Sequence, residues 1–310
     1  MSATAPTGPT PRMTAPALRA LKEVGRPIVM LTAYDYHAAR LVEAAGVDAI
    51  LVGDSLGMTV LGHGSTLPVT MDDMVAATAA VSRACSRALV IADMPFMSYA
   101  ADYAEGMRNA ARLVAQGGAA AVKVENASAA TLDLVAGLTD AGIPVMGHVG
   151  LTPQSVNTLG GYKTQGKDAA SATLAIADAL ALEEAGAFAV VLECVPAELA
   201  ERITGLLSIP TIGIGAGVGC DGQVQVFHDI LGLGEFLPKH AKRFADIGSA
   251  IREAVSAYAD DVRDRAFPAE PQSTHLTDDV LAEVDAVIAG ATADHDHPHD
   301  HASHASEPLR

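Results

Sequence analysis

The sequence predicts an α/β protein of the (β/α)8 TIM barrel class, with an N-terminal capping helix and a disordered, acidic, His-rich C-terminal tail. Three observations carry this. Hydrophobic residues make up 50% of the 310-residue chain and aromatics only 4%, without tryptophan. The core is therefore packed from small and branched aliphatic side chains, which favours alternating elements over an aromatic-cored sandwich. Apolar Val/Ile-rich runs recur, each followed by Gly, Pro or Asp and then by a stretch of helical period, the pattern of a parallel sheet covered on both faces. Finally, the G-x-G-x-x-G turn that an open doubly wound sheet more often carries after its first strand is missing.

Residues 1–13, rich in Pro, Thr and Ala, are expected to be disordered, and 15–24 to form a helix closing the bottom of a barrel domain over 14–268. The strand candidates follow in order. IVMLTAYD (28–35) opens the sheet. AILVGDS (49–55) ends in Asp54 and Ser55, ALVIADMPF (88–96) carries Asp93, and AAVKVEN (120–126) carries Lys123 and Glu125. PVMGHVGL (144–151) carries His148, AVVLECV (189–195) carries Glu193, and IPTIGIGAG (209–217) ends in glycines. VQVFHDILGL (224–233) is the least clear. From Asp54 to Gly215, 161 residues span five strand-to-strand steps, about 32 each, the length of one βα unit. The polar strand ends therefore gather at one mouth, where active sites of this fold lie.

Charge divides unevenly. The net charge is −17, and residues 269–310 hold nine acidic residues against Arg310, or −8. That tail also holds six of the eleven histidines, and reads as disordered with one short helix near 277–289. The acidic balance argues against nucleic acid or an anionic membrane as partner. No apolar run is long enough to span a bilayer and no signal-peptide pattern opens the chain, so a soluble cytoplasmic protein is expected. Cys85, Cys194 and Cys220 form no C-x-x-C pair and read as reduced thiols.

Three carboxylates, Asp54, Asp93 and Glu125, fall on adjacent strand ends, where like charges need a counter-cation or a shared proton. Oxygen ligands favour a hard ion such as Mg²⁺; capping of the following helices is the alternative. Lys123 shares a face with Glu125 and reads as a carboxylate clamp, a Schiff-base amine, or a partner in a salt bridge. Glu193, the one charge in its apolar strand, suits a general base of raised pKa, or pairs with an Arg or Lys from a neighbouring unit. His148 is equally a core histidine or a substrate donor, and His63 reads as a loop residue over the mouth. The GIGAG glycines offer backbone N–H groups to an anion, or simply allow tight turns. Together these residues suit metal-assisted enolisation of a 2-oxo acid.

The motifs LTAYDY, LVGDSLGMTVLGH-x-STLPVT, ADMPF-x-SY, VKVE, GHVGLTPQSVN-x-x-GGYK-x-QG, VLECVP and IPTIGIGAG resemble those of the ketopantoate hydroxymethyltransferase family, in matching order over about residues 18–268. The resemblance implies a (β/α)8 barrel that binds Mg²⁺ and assembles as a homodecamer. It also implies transfer of a hydroxymethyl group from 5,10-methylenetetrahydrofolate to 3-methyl-2-oxobutanoate, giving 2-dehydropantoate in pantothenate and coenzyme A biosynthesis via a Mg-stabilised enolate. By the same resemblance, Asp54, Asp93 and Glu125 form the metal site. Asp54, Ser55, Asp93, Lys123 and His148 bind the 2-oxo acid, and Glu193 accepts the proton. Two departures stand out: Asn126-Ala127 replaces a Gly-containing turn after VKVE, and Cys220 follows GIGAG, which places a thiol near the mouth. Rival readings are a Mg-dependent C–C lyase of the isocitrate-lyase and phosphoenolpyruvate-mutase type, a Schiff-base aldolase using Lys123, and a metal-buffering protein working through its His-rich tail.

Overall fold

The structure, a computed structural model, describes residues 11–295, with side chains through 291. The expectation of disorder at 1–10 and the histidines beyond His295 lie outside the described residues. The chain divides into two units between Gly248 and Ser249.

The first unit opens with α1 (Ala15–Glu23), β1 (Ile28–Thr32), α2 (Tyr36–Ala44), β2 (Ala49–Val52), α3 (Leu56–Thr59), α4 (Met71–Ala84) and β3 (Leu89–Asp93). It continues through α5 (Tyr103–Ala115), β4 (Ala121–Lys123), α6 (Ala129–Asp140), β5 (Val145–Gly150), α7 (Val156–Leu159) and α8 (Ala169–Glu184). β6 (Ala189–Glu193), α9 (Ala197–Leu206), β7 (Thr211–Ile214), β8 (Gly222–Gln225) and α10 (Phe227–Leu231) complete it. The strands form a closed parallel barrel in sequence order, and β8 pairs back onto β1 with Ile28 opposite Gly222. The expected barrel is present. Two details differ from the sequence reading: β8 is shorter and starts earlier, at Gly222, and no helix lies between β7 and β8. The segment 215–221, GAGVGCD, contains three glycines, each costly in a helix.

Period two sorts the strand side chains into two groups. Ile50, Val52, Val90, Ala92, Val122, Val190 and Leu192 pack outward with Met74, Leu113, Leu134 and Leu182 of the helices. Met30, Leu51, Leu89, Ile91, Ala121, Met146, Ala189 and Val191 pack inside the barrel, together with Leu18 and Leu21 of α1. That α1 contact matches the expected bottom plug, and the helix starts where Thr14 Oγ1 accepts the Ala17 N–H. Continuing the inward series by twos gives Asp93 after Leu89 and Ile91, Lys123 and Glu125 after Ala121, His148 after Met146, and Glu193 after Ala189 and Val191.

In the second unit, α11 (Ile247–Arg263), which begins at the end of the first, is followed by α12 (Asp278–His295). The expectation for 269–310 is a disordered tail with one short helix near 277–289; α12 lies at that helix and extends beyond it, to His295. Its Ala-rich sequence has high helix propensity, and Asp278 and Asp279 lie in its first turn, where negative charge favours a helix N-terminus. Among the described residues no helix is long and apolar enough to cross a membrane.

Candidate active site

Asp54, Ser55, Asp93, Lys123, Glu125, His148 and Glu193 all line one cavity of about 940 Å³ at the C-terminal mouth of the barrel. The strand-end pattern therefore converges as the sequence reading requires.

The helix-cap alternative holds at the end of β1, where Asp35 Oδ1 accepts the Ala38 N–H. It fails for the next two strand-end aspartates. Asp93 accepts the Asp54 N–H at 3.0 Å on Oδ2 and the Lys123 ammonium at 2.8 Å on Oδ1. Asp54 Oδ2 accepts from Gln154 Nε2 at 2.9 Å. Burial pushes the Asp54 carboxyl well up, the charges of Asp93 and Glu125 add to this, and Lys123 and Gln154 oppose it. For Lys123, burial pulls the amine down, but Asp93, Glu125 and Asp54 outweigh it and the net shift is upward. The amine stays protonated. That supports the clamp or ion-pair reading and opposes a Schiff-base nucleophile, which needs a depressed pKa.

His148 lies between two glutamates, with Nδ1 3.5 Å from Glu125 Oε1 and Nε2 3.3 Å from Glu193 Oε2. Both are ion-pair contacts without full hydrogen-bond geometry. Burial and the Lys123 charge lower the imidazole pKa, yet the two glutamates push it up to about 9. Glu193 thus faces the His148 imidazole on a neighbouring strand, rather than the Arg or Lys of its non-catalytic alternative, and opens on the cavity as a base must.

Ser55 Oγ is 2.9 Å from the Tyr34 hydroxyl. A Cβ on Gly53 would stand 2.8 Å from Ser55 Oγ and 3.4 Å from Asp93 Oδ2, so glycine permits this tight packing of serine and aspartate. Asn126, in place of the Gly-containing turn, takes φ 63°. Asn tolerates that region, and its Oδ1 accepts from Ser128 N and Thr131 Oγ1.

The GIGAG glycines are explained by close packing. A Cβ on Gly215 would stand 2.9 Å from His240 Cβ, and one on Gly213 3.0 Å from Cys220 Sγ. Cys220 corrects an expectation: it precedes β8 and so lies toward the bottom of the barrel, whereas Cys194, at φ 47°, lines the mouth. Burial pushes the Cys194 thiol up to about 11. His63 lines the mouth beside Met58, Tyr162, Phe236 and His240.

Four carboxyl groups (Asp54, Asp93, Glu125, Glu193) and a single ammonium, Lys123, line the cavity, an excess of oxygen donors that a divalent cation would offset. Among the described residues no three His, Cys, Asp or Glu side chains form a ready-made cage. Mg²⁺ does not require such a cage, since one or two carboxylates can bind it with waters or substrate oxygens in its remaining positions.

Sequence reasoning missed Tyr99, Gln154 and Tyr34. All three lie inside recognised motifs, but neutral polar residues in a loop carry no charge pattern to single them out.

A profile of the ketopantoate hydroxymethyltransferase family matches residues 12–270. The chain is 54% identical over 274 residues to a 3-methyl-2-oxobutanoate hydroxymethyltransferase of Carboxydothermus hydrogenoformans, covering 88% of this chain and 99% of that protein. A protein of the same name from Moorella thermoacetica is 54% identical over 263 residues, covering 84% and 97%. Among solved structures, phosphonopyruvate hydrolase aligns with TM-score 0.56 at 15% identity over 92% of this chain and 99% of that one. A 2,3-dimethylmalate lyase of the PEP mutase/isocitrate lyase superfamily aligns with TM-score 0.55 at 20% identity over 92% and 96%. These structural likenesses concern the barrel fold. Family match, sequence identity and the converged strand-end site agree: the chain belongs to the ketopantoate hydroxymethyltransferase family.

Proposed function

We propose that this site makes 2-dehydropantoate by hydroxymethyl transfer from 5,10-methylenetetrahydrofolate to 3-methyl-2-oxobutanoate through an enolate, with Mg²⁺ as the metal. The observation that carries the reading is the buried set Asp54, Asp93 and Glu125 beside the Lys123 ammonium, with Glu193 on the same cavity.

Asp54 and Asp93, supported by Glu125, would hold the cation. When bound, it supplies Lewis-acid polarisation of the keto group. Lys123 and Ser55 fix the substrate carboxylate, and His148 lies beside it. Glu193 takes the proton from the tertiary carbon, with His148 engaging Oε2 and leaving Oε1 for that proton. The resulting carbanion forms the new C–C bond to the folate's methylene carbon, tetrahydrofolate leaves, and water supplies the hydroxyl. The wide mouth beyond Met58 and Tyr162 gives the folate its room. The reaction belongs in the cytoplasm, and the assembly is a homodecamer.

An assay of 3-methyl-2-oxobutanoate with 5,10-methylenetetrahydrofolate, with Mg²⁺ or with a chelator, tests this. Turnover that requires both folate and Mg²⁺ is expected. Conversion without folate, or undiminished by the chelator, would overturn it.

A further inference from the structure

Gln154, just after β5, reaches three other strand ends. Its side-chain Nε2 donates to Asp54 Oδ2 at 2.9 Å, after β2, and to the Met94 carbonyl at 3.0 Å, after β3. Its main-chain N–H donates to Glu125 Oε2 at 2.9 Å, after β4. The Tyr99 hydroxyl donates to Gln154 Oε1 at 3.0 Å and accepts the Glu125 N–H at 3.0 Å. All five residues are buried, where a satisfied polar network rigidifies and an unsatisfied one is costly. The amide orientation is determined, because reversing it would set Oε1 against the oxygens of Asp54 and Met94.

We infer that Gln154, oriented by Tyr99, is a positioning residue that sets the Asp54 and Glu125 carboxylates for the divalent cation. This rests on the metal reading above. Through its amide Gln154 engages Oδ2 of Asp54 and so turns Oδ1 toward the cation, and through its main-chain N–H it engages Oε2 of Glu125, whose Oε1 faces His148. Without the amide, the Asp54 carboxylate could rotate about its terminal torsion, which is broad for Asp. Tyr99 acts through the amide by keeping its donor side toward Asp54.

Calorimetric titration of Mg²⁺ into the protein without substrates tests the inference, using wild type, Q154M, Y99F and the double variant. Q154M keeps the side-chain volume and the main-chain N–H, and removes only the amide. It should raise the Mg²⁺ Kd by about 10- to 100-fold, the usual effect of losing an outer-sphere partner. Turnover should recover at saturating Mg²⁺, which a packing defect would not allow. Y99F should have a smaller effect, and the double variant should be weaker than wild type by less than the product of the single effects. Wild-type affinity in Q154M, or a turnover loss that Mg²⁺ does not restore, would overturn the inference. If Q154M does not fold, Y99F decides: unchanged affinity overturns the proposal. Absence of Mg²⁺ binding by the wild type would instead overturn the metal reading and this inference with it.

Discussion

His148 Nε2 stands 3.3 Å from Glu193 Oε2, so the one ionisable side chain on β6 meets the one on β5 across a single strand-to-strand step. An imidazolium here orients the proposed base while the carboxylate keeps its second oxygen for the substrate. Replacing Glu193 with Gln preserves shape and removes basicity. E193Q should bind 3-methyl-2-oxobutanoate nearly as wild type but lose solvent deuterium exchange at its tertiary carbon by at least about 100-fold, the lower range for a positioned base. NMR of the bound and exchanged acid reads both quantities. Exchange at the wild-type rate would sink the base assignment.

The Lys123–Asp93 pair is buried on both sides, with side chains 5% and 4% exposed. Removing one partner leaves an uncompensated charge in a low-dielectric site, a loss of about 3–5 kcal/mol. K123M should therefore lower the urea-unfolding stability of the metal-free protein by about that amount and raise the KM for the 2-oxo acid. Because the neighbouring carboxylates keep the amine protonated, borohydride with substrate should trap no adduct in the wild type. A covalent adduct on Lys123 by mass spectrometry would restore the aldolase reading.

Asp54 ties function to instability. Burial raises its carboxyl first, and Asp93 and Glu125 raise it further. A folded-state pKa above the unfolded one means that stability is fully present below the ordinary carboxyl range and is lost as pH rises through the folded value. In metal-free protein, D54N removes this loss and should stabilise at pH 7 by about 1 kcal/mol or more, the worth of one pKa unit. The same change should weaken Mg²⁺ binding. Thermal melts in chelator and in Mg²⁺ separate the effects, and a D54N protein less stable than wild type in chelator would contradict the account.

The inward series was legible because strand geometry repeats every two residues: Asp93, Lys123, His148 and Glu193 each sit two positions beyond an aliphatic residue of the barrel core. Asp54 was legible as a strand-end carboxylate, though β2 stops two residues before it and its side chain is set by the turn at Gly53. Gln154 and Tyr99 were not legible, since their contacts cross 100 and 55 residues of chain and depend on barrel closure. Cys220 misled for a related reason. A glycine-rich segment reads as a turn at the mouth, but without a helix it returns directly to the bottom, and the thiol travels with it.

Far from the mouth, Glu43 near the end of α2 fastens the segment before β3. Its carboxylate accepts the backbone N–H groups of Ser86, Arg87 and Ala88 and the Ser86 hydroxyl. Burial raises the Glu43 carboxyl, but these donors outweigh it and the net shift is downward. Stability from a lowered carboxyl is present above the unfolded pKa and lost as pH falls through the folded one. Glu183 holds Ser208 and Ile209 before β7 in the same manner, so the device recurs in the barrel. E43Q retains an acceptor oxygen but loses the charge assistance. Since the site is partly exposed and solvent screens it, a loss of about 1 kcal/mol at pH 7 is expected. The difference from wild type should shrink as pH falls through the folded Glu43 pKa. Urea unfolding of both proteins across pH 3 to 7 measures this, and a difference that grows toward acid would refute the staple.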